Sequence, residues 1–530
     1  MKLPESPTTA QSLPDTIPPD QIIANALEKL DISLEHSEAC LSETRYWLEN
    51  TGLDDPTLVD LTSLAFVTID NPDSRDLDQA LLIERSTEGY RVRYALADAS
   101  YYIRPGSALF KEALARGTTF YTPTMAAAML PVALSEGLIS LNPNVDRRAL
   151  VFDMQVGSSG TVLRTTLVRA RIRSQAKLSY EGVQVWLDST VKPTRPFDES
   201  LSLLQELGRH LIQASAARGV VSFDRTETHI QVTGTPPQFQ ASVRRRYRTE
   251  QYNEQISLIC NMQGAELLLF LSGISDSLMA VYRVHDAPLK KSLNELSTTL
   301  QAFANLQDDP ESWRWNPEQS LAEFVENLPD TPEHKRRVQA VQRQIMQAQR
   351  ASSYQPEASE HHALKTASYA RFSSPMREVV GIFTHKELLE ALNDTTSVGD
   401  ADSVLRESVI ASANHARQQQ RQLDKTIEFA ALYSQFSHEL ALAEPPIHAG
   451  SIVGLRDDRL YISLDDMAVD IKVYRADIES AVGTSFSVNR VELIPDDTQM
   501  KSWQLGQAVG IQIYSLDKEK HFRFTLIRGA

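Results

Sequence analysis

Residues 67–80 read VTIDNPDSRDLDQA, and this stretch decides how the rest of the chain is interpreted. The apolar run that ends at Asp70 predicts a strand, and the residues at 71–73 can turn the chain back on itself. Asp76 and Asp78 stand two apart, so in an extended segment their side chains point to the same side. Three converging carboxylates repel one another unless a hard cation such as magnesium neutralises them. The stretch therefore predicts a magnesium site, with a solvated acidic turn as the alternative.

Beyond this stretch, short apolar runs alternate with turn residues up to about residue 190. Strand patterns occur in FVTI, YRVRYALAD, LVFDMQV and LVRARIR. Residues 111–116 have a helical pattern. Helical periodicity dominates from 200 to 440, with interruptions near Pro310 and near Pro356, and residues 402–442 form an almost unbroken helical pattern.

The two ends of the chain differ from this middle part. Residues 1–20 carry five prolines without apolar periodicity, which predicts a disordered lead. Residues 21–57 predict a small helical module, whose second short helix is expected to begin near Ser42. After the prolines at 445–446, strand patterns return in GSIVGL, RLYISL, AVDIKVY, AVGIQIY and HFRFTLI. Five short strands of this kind predict a small barrel of the OB type over residues 445–530.

Composition narrows the class of protein. The chain has 530 residues, which favours roughly two to four domains. Cys40 and Cys260 lie far apart, so neither a disulfide scaffold nor a zinc site is indicated. Without a secretory pattern or a membrane-spanning apolar run, the sequence predicts a cytoplasmic protein with no membrane contact. The net charge of −16 repels phosphate, so a function on nucleic acid requires a local basic channel.

Several blocks resemble one known family in the same order. Residues 60–80, DLTSLAFVTIDNPDSRDLDQA, closely resemble the opening of the catalytic domain of the RNase II/RNase R family. The further blocks are YALADASYYIRPGSALFKEALARGTTFYTPT, MLPVALSEGLISLNPNVDRRALVFDM, AKLSYEGVQVWL, YRVHDAP and HALKTASYARFSSPMREVV. The resemblance covers roughly residues 58–435 and, more weakly, the C-terminal barrel. It implies a mixed α/β, RNB-type catalytic domain, assigned to residues 58–442, with a channel that admits only single-stranded RNA.

The resemblance also implies an activity and a metal site. The family degrades single-stranded RNA from the 3′ end to nucleoside monophosphates. Asp70, Asp76 and Asp78 match three of its four aspartates, and they are expected to hold magnesium, or manganese, and to position the terminal nucleotide. Gln79 stands at the fourth metal position, where its amide offers a carbonyl oxygen but no charge.

Two further residues gain a function from the resemblance. Tyr121 in GTTFYTP matches the tyrosine that stacks on the 3′-terminal base, and stacking tolerates any base. Arg377 in SSPMRE matches the arginine of the SPIR motif, whose guanidinium can grip a phosphate with two hydrogen bonds. Without the resemblance, Tyr121 would be interpreted as a core aromatic and Arg377 as a surface residue at the start of a helix.

Two departures from the family pattern leave a second hypothesis open. Gln79 replaces an aspartate, and Gly381 stands where the family has an acidic residue, whereas His385 is retained. The alternative to an active enzyme is therefore a catalytically weakened member that binds RNA or a protein partner. The sequence identifies no protein partner.

One basic strand face is the predicted path of the phosphate backbone. Arg169, Arg171 and Arg173 alternate with apolar residues, so a strand places the three cations on one face. The basic clusters at 244–248 and 335–337 are interpreted as solvated faces. Family members usually carry two cold-shock-type barrels before the catalytic domain, and here the sequence predicts only the helical module in that place.

Overall fold

The computed structural model describes residues 17–190, 194–223, 226–274, 278–393, 400–517 and 521–528. The described helices are α1 Pro19–Lys29, α2 Glu38–Glu49, α3 Ala99–Tyr102, α4 Ala108–Arg116, α5 Tyr180–Asp188, α6 Asp198–Ala217, α7 Arg248–Ser272, α8 Lys290–Ala304, α9 Leu321–Glu326, α10 Lys335–Ala348, α11 Val379–Leu392, α12 Asp400–Leu440 and α13 Arg475–Val482. A π-helical turn, Ala133–Leu138, and a 3₁₀ turn, Glu311–Trp313, lie between them.

The described strands are β1 Val59–Asp60, β2 Val67–Asp70, β3 Gln79–Ser86, β4 Gly89–Ala97, β5 Phe120–Tyr121, β6 Ala126–Ala127, β7 Asp146–Gly157, β8 Val162–Arg173, β9 Ala176–Ser179, β10 Thr226–Thr233, β11 Gln238–Arg245, β12 Tyr282–Val284, β13 Ser353–Gln355, β14 Ile447–Arg456, β15 Arg459–Leu464, β16 Asp470–Tyr474, β17 Phe486–Val488, β18 Glu492–Pro495, β19 Trp503–Gln504, β20 Ala508–Leu516 and β21 Phe522–Arg528. All four strands predicted before residue 190 are present, as is the helix predicted at 111–116.

A mixed seven-stranded sheet forms the centre, in the order β1-β8-β7-β4-β3-β2-β9. β1 with β8 and β2 with β9 are parallel pairs, and the strands between them pair antiparallel. Both faces are buried, because alternate residues of β4 enter different cores: Tyr94 and Leu96 pack on one side, Ala95 and Ala97 on the other. The sheet therefore carries helices on both faces, which confirms the mixed α/β prediction.

The C-terminal strands confirm the predicted barrel type. Five strands pair in the order β16-β15-β14-β20-β21, and β16 also contacts β21, which curls the sheet toward closure. The apolar interior of this sheet is continuous with residues of the preceding helices, among them Phe303, Trp313 and Phe436. The OB-type barrel is thus packed on the helical part of the chain.

Three predictions need correction. The helical interpretation of 200–440 missed the hairpin of β10 and β11, although TETHIQVT and QFQASVRR alternate around a turn with glycine and prolines. The second N-terminal helix begins at Glu38, capped by the Ser37 hydroxyl, and not near residue 42. The predicted disordered lead falls mostly on residues 1–16, outside the described residues, and α1 already begins at Pro19.

None of the described helices is both long enough and apolar enough to cross a lipid bilayer.

Candidate active site

The acidic loop, residues 70–79, connects two neighbouring strands of the central sheet. β2 ends at Asp70, whose Oδ1 accepts a hydrogen bond of 2.7 Å from the backbone N–H of Asn71. The middle of the loop is fixed by the Ser140 hydroxyl. It accepts from the N–H of Leu77 at 2.9 Å and donates to the carbonyl of Arg75 at 2.7 Å. The loop is therefore held in one conformation from both ends and from its centre.

Asp78 and Arg377 face each other at the bottom of a cavity. The Asp78 side chain is 2% exposed, its Oδ1 accepts from the N–H of Met376 at 2.9 Å, and its Oδ2 lies 2.9 Å from Nε of Arg377. Burial raises the pKa of Asp78 to about 7, and the guanidinium of Arg377 opposes that shift. Burial also acts to lower the pKa of Arg377, but Asp78 and its neighbours keep it above its ordinary value.

Tyr121 lies beside Asp76. Its hydroxyl donates to Oδ2 of Asp76 at 2.5 Å, and the residue is 45% exposed although it sits in the short strand β5. An aromatic ring that is anchored by its hydroxyl and open on one face can stack on a flat partner. The interpretation as a core aromatic is wrong, since the ring is not buried.

Gln79 uses both ends of its amide within the protein. Its Nε2 donates to the carbonyl oxygen of Ser373, and its Oε1 accepts from the Tyr94 hydroxyl. Gln79 lines the cavity, but its carbonyl oxygen, the atom predicted to bind a metal, already has a buried partner.

The segment that carries Arg377 is residues 371–378, here called the arginine loop. Asn261 of α7 holds its beginning: Oδ1 accepts from the N–H groups of Phe372 and Ser373 at 2.8 and 3.1 Å. His385 of α11 supports the same point, because its Nε2–H donates to the carbonyl of Phe372 at 2.9 Å. Burial lowers the pKa of His385 to about 4, so the ring is neutral near pH 7 and acts as a hydrogen-bond donor.

A second arginine of this loop is fixed by a carboxylate. Nε of Arg371 lies 2.9 Å from Oε1 of Glu378, and the Tyr354 hydroxyl donates to the other oxygen of Glu378 at 2.5 Å. Arg371 and Arg377 both approach the Ser374 hydroxyl, at 3.2 and 3.4 Å. Two guanidinium groups thus border the cavity from one short loop.

Gly381 lies where α11 passes closest to the arginine loop. A Cβ at this position would lie 2.9 Å from Cα of Pro375 and 3.2 Å from its nitrogen. Contacts this short to backbone atoms cannot be relieved by a rotamer change. The absence of a side chain at Gly381 is therefore a packing requirement of this backbone.

The cavity has a volume of about 280 Å³. Its lining combines the acidic loop, the arginine loop and the N-terminal part of α7, with the polar residues Thr68, Asp70, Asn71, Asp78, Gln79, Tyr180, Arg244, Arg246, Glu250, Asn253, Glu254, Ser257, Arg371, Ser373, Ser374 and Arg377. Asp70 and Asp78 are brought together here as predicted, and Arg377 joins them from a segment that is far away in the sequence.

Arg244 and Arg246 are residues of the site that sequence reasoning missed. Arg244 contacts Oδ1 of Asn71 at 3.2 Å and both oxygens of Glu250 at 3.0 Å, and Arg246 contacts Glu254 at 2.9 Å. Their cluster was interpreted as a solvated face because the hairpin was not recognised. The alternation of β11 was the signal that could have found them.

The hairpin separates the small cavity from a second, larger one of about 1030 Å³. Val243 and Arg245 face the larger cavity, whereas Arg244 and Arg246 face the smaller one, as the two-residue period of a strand requires. The larger cavity lies between the hairpin, α10 and the barrel. Its basic lining residues are Arg245, Lys335, Arg336, Arg343, Arg350 and Lys365.

The predicted basic strand face does not reach either cavity. Arg169 lies 2.8 Å from Asp98, Arg171 2.6 Å from Asp60, and Arg173 2.7 Å from Asp146. All three arginines lie on β8, four strands away from β2 in the sheet. The alternation was predicted correctly, but each cation is paired with a carboxylate of this chain, so the face is not a free basic track.

The carboxylates of the acidic loop fit a divalent cation in part. Asp70, Asp76 and Asp78 offer hard oxygen ligands of the kind that magnesium prefers. Oδ2 of Asp78 is buried and lies 2.9 Å from Nε of Arg377, so a cation at this atom would share it with the guanidinium. Among the described residues, however, these three do not form a group whose ligand atoms all lie within 4.8 Å of one another. The residues fit a cation held mainly by Asp70 and Asp78, and they do not form a closed cage.

Comparison with known proteins agrees with this fold. Residues 58–394 match the family model of the RNB domain. Ribonuclease R of Escherichia coli (strain K12) is 26% identical over 481 residues, which cover 88% of this chain and 57% of that protein. The chain thus spans little more than half the length of this relative.

Two solved structures share the architecture. Mycoplasma genitalium RNase R in complex with ribose methylated single-stranded RNA superposes with a TM-score of 0.83 at 21% identity, over 97% of this chain and 78% of that one. The pseudonuclease Ssd1 of yeast gives a TM-score of 0.66 at 14% identity, over 94% of this chain and 58% of that one. The fold is therefore shared by a ribonuclease and by a pseudonuclease.

Proposed function

This chain belongs to the RNase II/RNase R family, which the RNB domain defines, and on that premise we propose that it is an exoribonuclease. It would hydrolyse single-stranded RNA from the 3′ end to nucleoside monophosphates with magnesium or manganese. The observation that carries the proposal is the approach of Arg377 to Asp78 at the bottom of a cavity that Asp70 also lines.

Arg377 is the group that would contact the scissile phosphate. Its side chain is 35% exposed although its Nε faces a buried carboxylate, so part of the guanidinium remains open to the cavity. Hydrogen bonds from guanidinium to phosphate oxygens strengthen as negative charge develops in the transition state. Asp78 fixes the orientation of Arg377, and the arginine loop fixes its position.

Asp70 and Asp78 would hold the cation, with Asp76 at the rim. When bound, the cation would lower the pKa of a water and neutralise charge on the phosphate. Tyr121 would stack on the terminal base, since its ring is exposed while its hydroxyl is tied to Asp76. These assignments place the base next to the carboxylates and its phosphate beside Arg377.

The larger cavity is the proposed path of the RNA. A net charge of −16 makes most of the surface repulsive to phosphate, but six cations line this cavity. Some of them already pair with the barrel, such as Arg336 with Asp465 at 2.6 Å. The complex of Mycoplasma genitalium RNase R with single-stranded RNA supports the same class of substrate.

The test uses one RNA of unstructured sequence labelled at either end. With magnesium, the 3′ label should appear as mononucleotide from the earliest time points, while the 5′ label shortens gradually. Asp78→Asn, which removes the buried charge but keeps the shape, is the matched control and should abolish both changes. Internal fragments at early times, or full activity in excess chelator, would contradict the proposal.

A second candidate is an RNA-binding protein that cleaves poorly or not at all. The observation that favours it is the engagement of the Gln79 amide by Tyr94 and Ser373, which leaves no carboxylate at the fourth metal position. Tight binding of the same labelled RNA, without mononucleotide release in magnesium or manganese, would select this function.

A further inference from the structure

Gln79 joins three parts of the protein that are distant in sequence. It is the first residue of β3. Its Oε1 accepts a hydrogen bond from the hydroxyl of Tyr94, which lies on the adjacent strand β4. Gln79 pairs with Leu96 and Tyr94 pairs with Leu81, so the two residues are diagonal neighbours on one face of the sheet. The other end of the amide reaches the carbonyl of Ser373 in the arginine loop.

We propose that Gln79 is a positioning residue that fixes the arginine loop against the central sheet, and that it is not a metal ligand. The inference rests on the proposed function, because it assigns Gln79 to holding Arg377 in place for that reaction.

Among the described residues, four side chains anchor the backbone of the arginine loop ahead of Arg377. Asn261 accepts from the N–H groups of Phe372 and Ser373, His385 donates to the carbonyl of Phe372, Gln79 donates to the carbonyl of Ser373, and Asp78 accepts from the N–H of Met376. Gln79 and Asp78 are adjacent, so the start of β3 and the residue before it contribute two of the four. Because the Met376 anchor directly precedes Arg377, a shift of the loop would move the guanidinium relative to Asp78.

Only an amide side chain can make both hydrogen bonds that are observed at position 79. The Tyr94 hydroxyl needs an acceptor, and the Ser373 carbonyl needs a donor. A carboxylate would satisfy Tyr94 but would place negative charge against the Ser373 carbonyl oxygen. Aspartate is also one methylene shorter and cannot reach both partners. Since Tyr94 and Ser373 are each 0% exposed, loss of either hydrogen bond would leave a buried polar group without its partner.

The experiment compares Gln79→Asp and Gln79→Glu with the wild-type chain by hydrogen–deuterium exchange and by Mn²⁺ binding, both without RNA. In both variants, amide exchange in residues 372–378 should accelerate by about tenfold, which corresponds to about 1.4 kcal/mol of lost local stability. The Mn²⁺ affinity should stay within about threefold of wild type despite the added charge. Tyr94→Phe removes only the other partner of the amide and should produce a smaller acceleration in the same peptide.

Gln238→Asp is the matched control, because Gln238 is also the first residue of a strand but is exposed and lies in the hairpin. It should leave exchange of residues 372–378 unchanged. If Gln79→Asp instead binds Mn²⁺ at least about tenfold more tightly, with unchanged exchange, Gln79 is a weakened ligand and the proposal is wrong. Hydrogen–deuterium exchange and Mn²⁺ binding are both measured without RNA cleavage. If the wild-type protein proved inactive, the proposed function would be refuted, but the role of Gln79 could still be tested.

Discussion

Two arginine–aspartate pairs of the same chain have nearly the same distance and different surroundings. Arg377 lies 2.9 Å from Asp78, and Arg169 lies 2.8 Å from Asp98. Asp98 is completely buried and is also contacted by Arg148, at 3.2 Å. Asp78 borders a cavity of about 280 Å³ that Asp70 and Arg371 also line. Open space beside the pair distinguishes a candidate site from a structural ion pair, whereas charge and distance do not.

The Asp98 pair is an example of a buried ion pair that has only a structural role. Arg148 is 0% exposed in its side chain, its guanidinium carbon lies 3.5 Å from the centre of the Tyr101 ring, and it donates to the carbonyl of Gly52. The cluster therefore ties the chain after the N-terminal helices to the central sheet. The comparison predicts that changes at the Asp78 pair alter rate, whereas changes at the Asp98 pair alter stability.

The largest effect is expected at Arg377. Arg377→Ala should lower the single-turnover rate by about a hundredfold to a thousandfold, because a donor to the developing charge is lost. Lysine should restore little, since it lacks the planar fork. The affinity for RNA, measured without divalent cation, should change much less. Equal losses of rate and affinity would show that Arg377 is a general phosphate contact and would remove the contrast with Arg169.

Asp98→Asn should instead destabilise the fold. It removes the carboxylate that Arg148 and Arg169 share, so that buried Arg148 keeps, among the described carboxylates, only Asp55 at 3.1 Å, and breaking such a cluster costs about 3 kcal/mol in free energy of unfolding. Urea unfolding measures this change. The rate per folded molecule should stay as in the wild type, and a rate loss with unchanged stability would contradict the comparison.

His448 extends the comparison to a titratable ion pair. Its Nδ1 lies 2.8 Å from Asp466 and its Nε2 2.9 Å from Glu439, so it links the barrel to the end of α12. Hydrogen bonds to the two carboxylates raise the pKa of His448 to about 9. Because the folded pKa lies above the unfolded one, this stabilisation is complete below pH 6.5 and is lost as the pH rises through 9.

The expected loss is about 2–3 kcal/mol of unfolding free energy between pH 6.5 and pH 10. Unfolding of the wild type and of His448→Gln across this range measures it, and the difference between the two chains removes the titration of other groups. A difference that stays constant with pH would show that His448 is neutral in the folded protein.

The smallest effect is expected at Tyr121. Tyr121→Ala removes the ring and should weaken binding of short RNA by about tenfold, within the range for one stacked base. Tyr121→Phe keeps the ring, loses only the hydrogen bond to Asp76, and should bind nearly as well as the wild type. Fluorescence anisotropy without divalent cation gives both values. If phenylalanine weakened binding as much as alanine, the hydroxyl and not the ring would be the important group.

The sequence predicted the strands around the acidic loop and the barrel because their periodicity is local. It also predicted that Asp70 and Asp78 share a site, and the cavity contains both. It failed for Gln79, whose partner Ser373 lies 294 residues away, since no local pattern encodes so distant a hydrogen bond. It failed for Arg169 for a related reason: strand alternation predicts the face of a side chain but not the acidic residue opposite it.

Arg244 shows the opposite error, because a residue that lines the cavity was interpreted as part of a solvated face. Its run of basic residues has the composition of a solvated surface, and only its place on β11 directs it to Asn71 and Glu250. The metal-binding assignments of Asp70, Asp76 and Asp78 remain predictions, because cation binding depends on small adjustments of carboxylates that sequence patterns do not describe.

The close packing of Gly381 against Pro375 has a consequence for how this protein can evolve. A carboxylate cannot be introduced at position 381 in a single step, because its Cβ would meet the backbone of the arginine loop. The loop would have to shift first, and that shift is resisted by the anchors at Asn261 and Gln79. A larger residue at position 381 is therefore accessible only after substitutions that release the loop, so the order in which changes arise matters at this position.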